Sequence, residues 1–256
     1  MPCFETSATM SDHVFKGLVL RAADYRESSR MLTVLTDELG KISISARGAT
    51  RVKSRIAAAC QPMAFSEMTV SESRDKFYLK EANTLELFQG LTTDLKSYAL
   101  GCYFLELLEA ACPETVEEPE ALALGLNALW LLAEGNKDQR LIKSVFEFRL
   151  MSLLGYCPET EGCAACGRTE PENPTLDLRG GAVYCKACAI PEAQRPMSID
   201  PPSLQALRHI VSAPRKKIFS FRLAEPSLRR LADASESFVK EQMERSFRTL
   251  DYYKSL

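Results

Sequence analysis

The chain has 256 residues, 46% hydrophobic and 26% charged, with a formal net charge of −2. That composition excludes long disorder, and no stretch approaches the roughly 20 apolar residues of a membrane span. Nine cysteines, an odd number and five of them scattered (Cys3, Cys60, Cys102, Cys112 and Cys157), exclude a secreted disulfide framework.

Residues 1–11 read as a flexible tail, and Met10 is an alternative start to Met1. The tail lacks a basic segment followed by an apolar core, so no signal peptide is expected and the protein is expected in the cytoplasm. From residue 12 to 88 the pattern is that of strands. Val14, Leu18 and Leu20 open an apolar run, Met31–Thr36 is rich in strand formers, and Lys41–Ala46 alternates polar with apolar. Pro62–Val70 and Lys76–Leu87 add two strands across a polar turn at Ser71–Asp75, and Gly40 sits at the tight position of the turn before Lys41. Five short strands in so few residues predict a small closed barrel.

After Gly90 the apolar period becomes helical. One helix carries Leu91, Leu95, Tyr98, Cys102, Leu105 and Leu108 and ends near Pro113; a second runs Glu118–Ala133; a third starts at Asp138 and is apolar nearly all round. Residues 157–190 break the pattern with Cys, Gly and Pro. A short helix follows Pro201–Pro202, and a last one is predicted from Pro226 through Leu250.

Charge is uneven along this order. Residues 1–80 hold 12 Lys/Arg against 9 Asp/Glu, residues 81–160 hold 5 against 13, and residues 161–256 hold 15 against 12. Basic ends permit a polyanionic partner, although uneven solvation of surface faces produces the same pattern.

Within the broken stretch, Cys163-x2-Cys166 is followed after 18 residues by Cys185-x2-Cys188. Two CxxC pairs at this separation fit a zinc ribbon, in which four thiolates satisfy tetrahedral Zn²⁺. One structural zinc is the favoured reading. A redox dithiol, an iron–sulfur cluster and a catalytic zinc follow behind it, the last because four thiolates leave no position for water. Cys157 is a nearby spare thiol.

No catalytic set is visible. His13 and His209 are the only histidines, and there is no Walker loop, GxSxG or HExxH. By contrast Arg47-Gly-Ala-Thr-Arg51-Val-Lys53-Ser-Arg55 carries four cations and no acid directly after a barrel strand. Such a loop tracks phosphates in OB-folds, or is simply a solvated loop. Tyr25, Phe77 and Tyr78 are available for base stacking and equally for the core; Arg215-Lys216-Lys217 is a second basic cluster.

The text Ala23-Asp-Tyr-Arg-Glu-Ser28, Leu35-Thr36, Gly40-Lys-Ile42, Ala46-Arg-Gly48, Lys53-Ser-Arg55 and Gln61-Pro62 resembles the bacterial recombination mediator family RecO. So do Tyr103-Phe-Leu-Glu-Leu107, Phe146-Glu-Phe-Arg-Leu150, Gly155-Tyr-Cys-Pro158 and the cysteine pairs, so that the resemblance covers nearly all of the chain after residue 12. Arg26 departs from it, standing where the family usually has Gly.

The resemblance implies an α+β chain: an N-terminal OB-fold at 12–88, then an all-α domain at 89–256 with a four-cysteine zinc-ribbon-like insertion at 157–190. It implies a non-enzymatic mediator of DNA repair and homologous recombination. Such a protein binds single- and double-stranded DNA and anneals strands coated with single-stranded-DNA-binding protein. With RecR it promotes RecA loading at gaps, near the nucleoid and away from membranes. Arg26, Arg30, Lys41, Arg47, Arg51, Lys53 and Arg55 are the expected DNA contacts. Lys137, Arg140, Lys143 and Arg149 are the candidates for gripping the acidic C-terminal tail of the coating protein, with a buried ion pair as the alternative for Arg149. A zinc-ribbon nucleic-acid-modifying enzyme and a protein adaptor without DNA binding are the competing classes.

Overall fold

The computed structural model describes residues 11–25, 27–188 and 195–256. Arg26, the proposed tail before residue 11 and residues 189–194 lie outside them. The chain divides into two compact units, one ending at Thr93 and resuming over Gly101–Leu126, the other made of Asp94–Leu100 and Asn127–Leu256. No described helix is long and apolar enough to cross a membrane.

The first unit is built on five strands: β1 (Ser11–Tyr25), β2 (Ser29–Thr36), β3 (Lys41–Arg47), β4 (Phe65–Ser73) and β5 (Lys76–Glu86). They close into a barrel in the order β1-β2-β3-β5-β4, the OB-fold expected from the sequence. β1 is long enough to serve two neighbours. Its Ser11–Leu18 half pairs with β4, its Gly17–Tyr25 half with β2, and the register shifts between Val19 and Arg21 where the strand bends. β3 and β5 meet in parallel, Ile44 opposite Phe77 and Ser45 opposite Tyr78.

The alternation in β3 works as read: Ile42, Ile44 and Ala46 point inward with Phe15, Val19, Leu32, Val34, Met68 and Val70, while Ser43 and Arg47 face out. Gly40 has φ +68, and a Cβ there would lie 2.2 Å from the Val116 carbonyl oxygen, so no side chain is tolerated at this turn. β4 starts at Phe65 rather than Pro62, because Met63 takes a left-handed conformation at φ 69 that interrupts the extended backbone, although its N–H still reaches the Val19 carbonyl of β1 at 2.9 Å.

The helices are α1 (Leu95–Ala111), α2 (Pro119–Glu134), α3 (Gln139–Leu153), α4 (Pro201–Ser212), α5 (Glu225–Gln242) and α6 (Arg248–Ser255). In the second unit α3 is the centre, packed on α4 and α5. Asp138 caps it, accepting from the Arg140 N–H, and ten of its residues are buried. The single predicted last helix is two. Glu244 turns left-handed at φ 50, and α6 then brings Leu250 and Tyr253 back inside.

Two buried residues of α3 are charged. Lys143 donates to Glu147 at 2.9 Å and lies 3.4 Å from Glu236; Glu147 is fully buried and also accepts from Ser235 at 2.5 Å. Burial disfavours the Glu236 carboxylate, but the Lys143, Lys240 and Lys254 cations outweigh that and hold it at about 2. Removing one partner of such a pair leaves a charge in a dry core. Lys143→Met is therefore expected to destabilise the protein by about 3–5 kcal/mol in urea unfolding. The double change Lys143→Met/Glu147→Leu should recover most of that loss, and a single variant within about 1 kcal/mol of wild type would contradict the assignment.

Candidate nucleic-acid interface and metal centre

The stretch between β3 and β4 is a series of tight turns: Arg51 N–H to Gly48 carbonyl at 3.2 Å, Ser54 to Arg51 at 3.0 Å, Cys60 to Ile56 at 3.1 Å. Small residues anchor it. Ala49, Cys60 and Ala64 are buried in the barrel core with Ile56 packed against them. Pinning those positions leaves Arg51, Val52, Lys53 and Arg55 exposed, Val52 completely. None of the three cations makes an ion pair with a described residue. The loop is thus a fixed projection of positive charge on the barrel.

Beside it lies a cleft of about 440 Å³. The parallel β3–β5 pairing builds it, bringing Ser43, Ser45 and Arg47 next to Phe77 and Tyr78, while Tyr25 and Met31 complete another wall. The Arg47 guanidinium lies 5.6 Å from the centre of the Tyr78 ring, a cation–π contact. All three aromatics that the sequence left undecided between stacking and core therefore line one cleft. No local signal reveals this, since the pairing that joins them spans more than thirty residues.

The other expected DNA contacts divide. Arg30 pairs with Asp24, its partner across the β1–β2 ladder, at 2.8 Å, which offsets its charge. Lys41 donates to the Glu109 carbonyl at 2.5 Å, where a cation suits the end of α1, and is committed to holding that helix. Arg26 lies outside the described residues.

The four tail-binding candidates do not form one surface. Lys143 is in the buried network just described. Arg140 is clamped by Asp138 at 2.6 Å and Glu225 at 2.5 Å. Arg149 donates to the carbonyls of Ile210 at 3.1 Å and Val211 at 2.6 Å, capping α4 rather than joining a buried ion pair. Arg140 and Lys143 line a groove of about 620 Å³ with Lys96, Tyr253 and Lys254, whereas Lys137 lines a separate one, about 470 Å³, that also holds Trp130, Leu131, Lys216 and Phe219. Trp130, half exposed on α2, was not legible as part of a site: a lone Trp on a helix gives no periodic signal.

In the cysteine segment three short strands form a sheet in the order β7-β6-β8: β6 (Thr175–Asp177), β7 (Ala182–Tyr184) and β8 (Pro196–Ser198). β8 lies beyond the expected end of the insertion at 190. The buried Asp177 carboxylate fixes the hairpin, accepting from Arg179 at 3.1 Å, Gly180 at 2.8 Å and Arg195 at 3.0 Å.

That hairpin returns Cys185 to the first pair. The sulfurs of Cys163, Cys166, Cys185 and Cys188 lie within 4.8 Å of one another, with Cys166–Cys185 at 3.7 Å and Cys185–Cys188 at 3.4 Å. Tetrahedral zinc with Zn–S of about 2.3 Å requires sulfurs about 3.8 Å apart, so the donor set fits; a disulfide would need about 2.05 Å. The first knuckle is shaped by Gly167, at φ +73, whose N–H reaches the Cys163 carbonyl at 2.8 Å. The Cys185 N–H donates to the Cys163 sulfur at 3.2 Å. Burial opposes ionisation of Cys163, yet the N–H groups of Cys185, Cys166 and Ala165 outweigh it and hold the thiol at about 6. The sulfurs of Cys185, Cys166 and Cys163 push Cys188 up to about 12. Four thiols this crowded ionise together only around a cation. Cys157 is exposed and outside the group.

Two family models match the chain: Recombination protein O N terminal over residues 10–88, and Recombination protein O C terminal over residues 92–251. Curated relatives named DNA repair protein RecO match as well. The one from Desulforudis audaxviator is 30% identical over 254 residues, 96% of this chain and 98% of its own. The one from Acetivibrio thermocellus is 28% identical over 240 residues, covering 94% and 95%. A third, from Exiguobacterium sibiricum, reaches 34% over 171 residues, covering 67% and 68%.

Proposed function

The chain belongs to the recombination protein O family of DNA repair proteins, and from that premise we propose that it is a strand-annealing recombination mediator. The observation that carries this reading is the Arg51–Arg55 projection, whose cations find no acidic partner among the described residues, beside an aromatic cleft on an OB-fold. Two DNA strands repel one another through their phosphates. A protein that neutralises phosphates without reading bases lowers that repulsion for any sequence, and pairing supplies the specificity. The chain accordingly binds single- and double-stranded DNA through residues 12–88, with Arg47, Arg51, Lys53 and Arg55 as the principal contacts. It acts with RecR to let RecA replace the coating protein, in the cytoplasm at the nucleoid, and turns over no covalent bond.

The acidic, apolar-ended tail of the single-stranded-DNA-binding protein docks in the groove of Trp130, Phe219, Lys137 and Lys216, where apolar surface lies beside positive charge. One zinc held by Cys163, Cys166, Cys185 and Cys188 serves structure only, because four thiolates leave it no open position. The test is annealing of complementary strands coated with that protein, without nucleoside triphosphate. Acceleration over the protein-free rate is expected, and its absence at low salt refutes the reading.

A further inference from the structure

The aromatic cleft beside the basic loop is not purely cationic: Asp75 lines it together with Arg47 and Lys76. A carboxylate is a poor neighbour for phosphates. An ionised carboxylate only accepts hydrogen bonds, so Asp75, exposed in its turn, is suited to a bound group that carries N–H donors. Asp75 makes no ion pair or hydrogen bond with a described residue. The backbone that holds it there is unusual as well. Arg74 and Asp75, the central residues of the β4–β5 turn, have φ 51 and 58. This is the left-handed pair that Asn-Gly adopts most easily in a two-residue hairpin, yet neither residue is Asn or Gly. Local strain of this kind recurs at binding sites.

On these grounds we propose that the cleft is a subsite for one unpaired guanine, an assignment that rests on the DNA-binding reading of the barrel. The half-exposed Tyr25, and Tyr78 with Arg47 over its ring, line the cleft as stacking surface for a base, while Phe77 adds an apolar wall that also packs on the barrel core. A base that leaves its stack exposes its Watson–Crick edge. Guanine alone presents two adjacent donors there, N1–H and the N2 amino group, which match the two oxygens of Asp75; adenine, cytosine and thymine each present one. In a duplex those donors are occupied, so the subsite acts only on single strands. The basic loop then supplies affinity for any sequence, and the cleft adds a local preference that holds one base unstacked.

The test is fluorescence anisotropy of the full chain with oligothymidines of about 15 nucleotides that carry at the centre thymine, guanine, hypoxanthine or adenine. Guanine is expected to bind about tenfold more tightly than thymine, and hypoxanthine, which lacks the N2 amino group, to fall between. Asn is at home in a left-handed turn, so Asp75→Asn keeps the fold; it should abolish the guanine preference while leaving the all-thymine affinity unchanged or higher. Tyr78→Ala should weaken every oligonucleotide. Equal binding of all four, or a guanine preference that survives Asp75→Asn, overturns the subsite and leaves DNA binding standing. Failure to bind any oligonucleotide overturns both.

Discussion

Alanine at Arg51, Lys53 and Arg55 together is expected to lower affinity for single-stranded DNA roughly a hundredfold at about 0.1 M salt, whatever the sequence. Each cation that neutralises a phosphate releases about 0.7 counterion from a single strand and about 0.9 from a duplex. Three lost contacts therefore flatten the plot of log affinity against log salt by about 2 for single strands and by nearly 3 for duplexes. The fold should not change, because the three side chains are exposed and the loop is anchored through Ala49, Cys60 and Ala64 instead. Anisotropy titrations across a salt series measure both quantities. An unchanged slope would move the DNA contacts elsewhere on the chain.

The second large effect is expected at the cysteines. Cys185 is buried, with the sulfurs of Cys166 and Cys188 both close to its own. The sheet around it buries only a handful of apolar side chains, Leu176, Leu178, Val183 and Tyr184 among them. That is too little apolar burial to order the segment by itself, and a four-thiolate zinc adds binding free energy that goes directly into folding. Cys185→Ser, or chelation of the wild type, should abolish stoichiometric zinc and expose residues 158–188 to hydrogen exchange and proteolysis. DNA binding at low temperature should survive, since the barrel has its own core. Metal-free protein with full exchange protection over 158–188 would contradict a structural zinc.

Much of the architecture was legible because it is written in local periods. The alternation of Lys41–Ala46, the apolar α3 capped by Asp138, and the two CxxC pairs each declare themselves within a few residues. What escaped depends on pairing at a distance or on cancelled signals. The aromatic cleft needs Ser45 opposite Tyr78, which no window of sequence contains. The split between α5 and α6 is hidden because Phe247 and Leu250 continue the apolar stripe while the backbone reverses at Glu244. Cations mislead most. Lys143 and Arg149 read as candidate tail contacts, Arg149 alternatively as a buried ion-pair partner, yet Lys143 is buried against Glu147 and Arg149 caps α4, while Arg140 is held by Asp138 and Glu225 and Lys137 lines the groove of Trp130 and Phe219.

The annealing rate of complementary strands coated with single-stranded-DNA-binding protein, followed without nucleoside triphosphate, bears most directly on the whole account. Wild-type protein is expected to accelerate annealing in a salt-sensitive manner, and the Arg51, Lys53 and Arg55 alanine variant to lose most of that acceleration. No acceleration by the wild type, or acceleration undiminished in the variant, would contradict it.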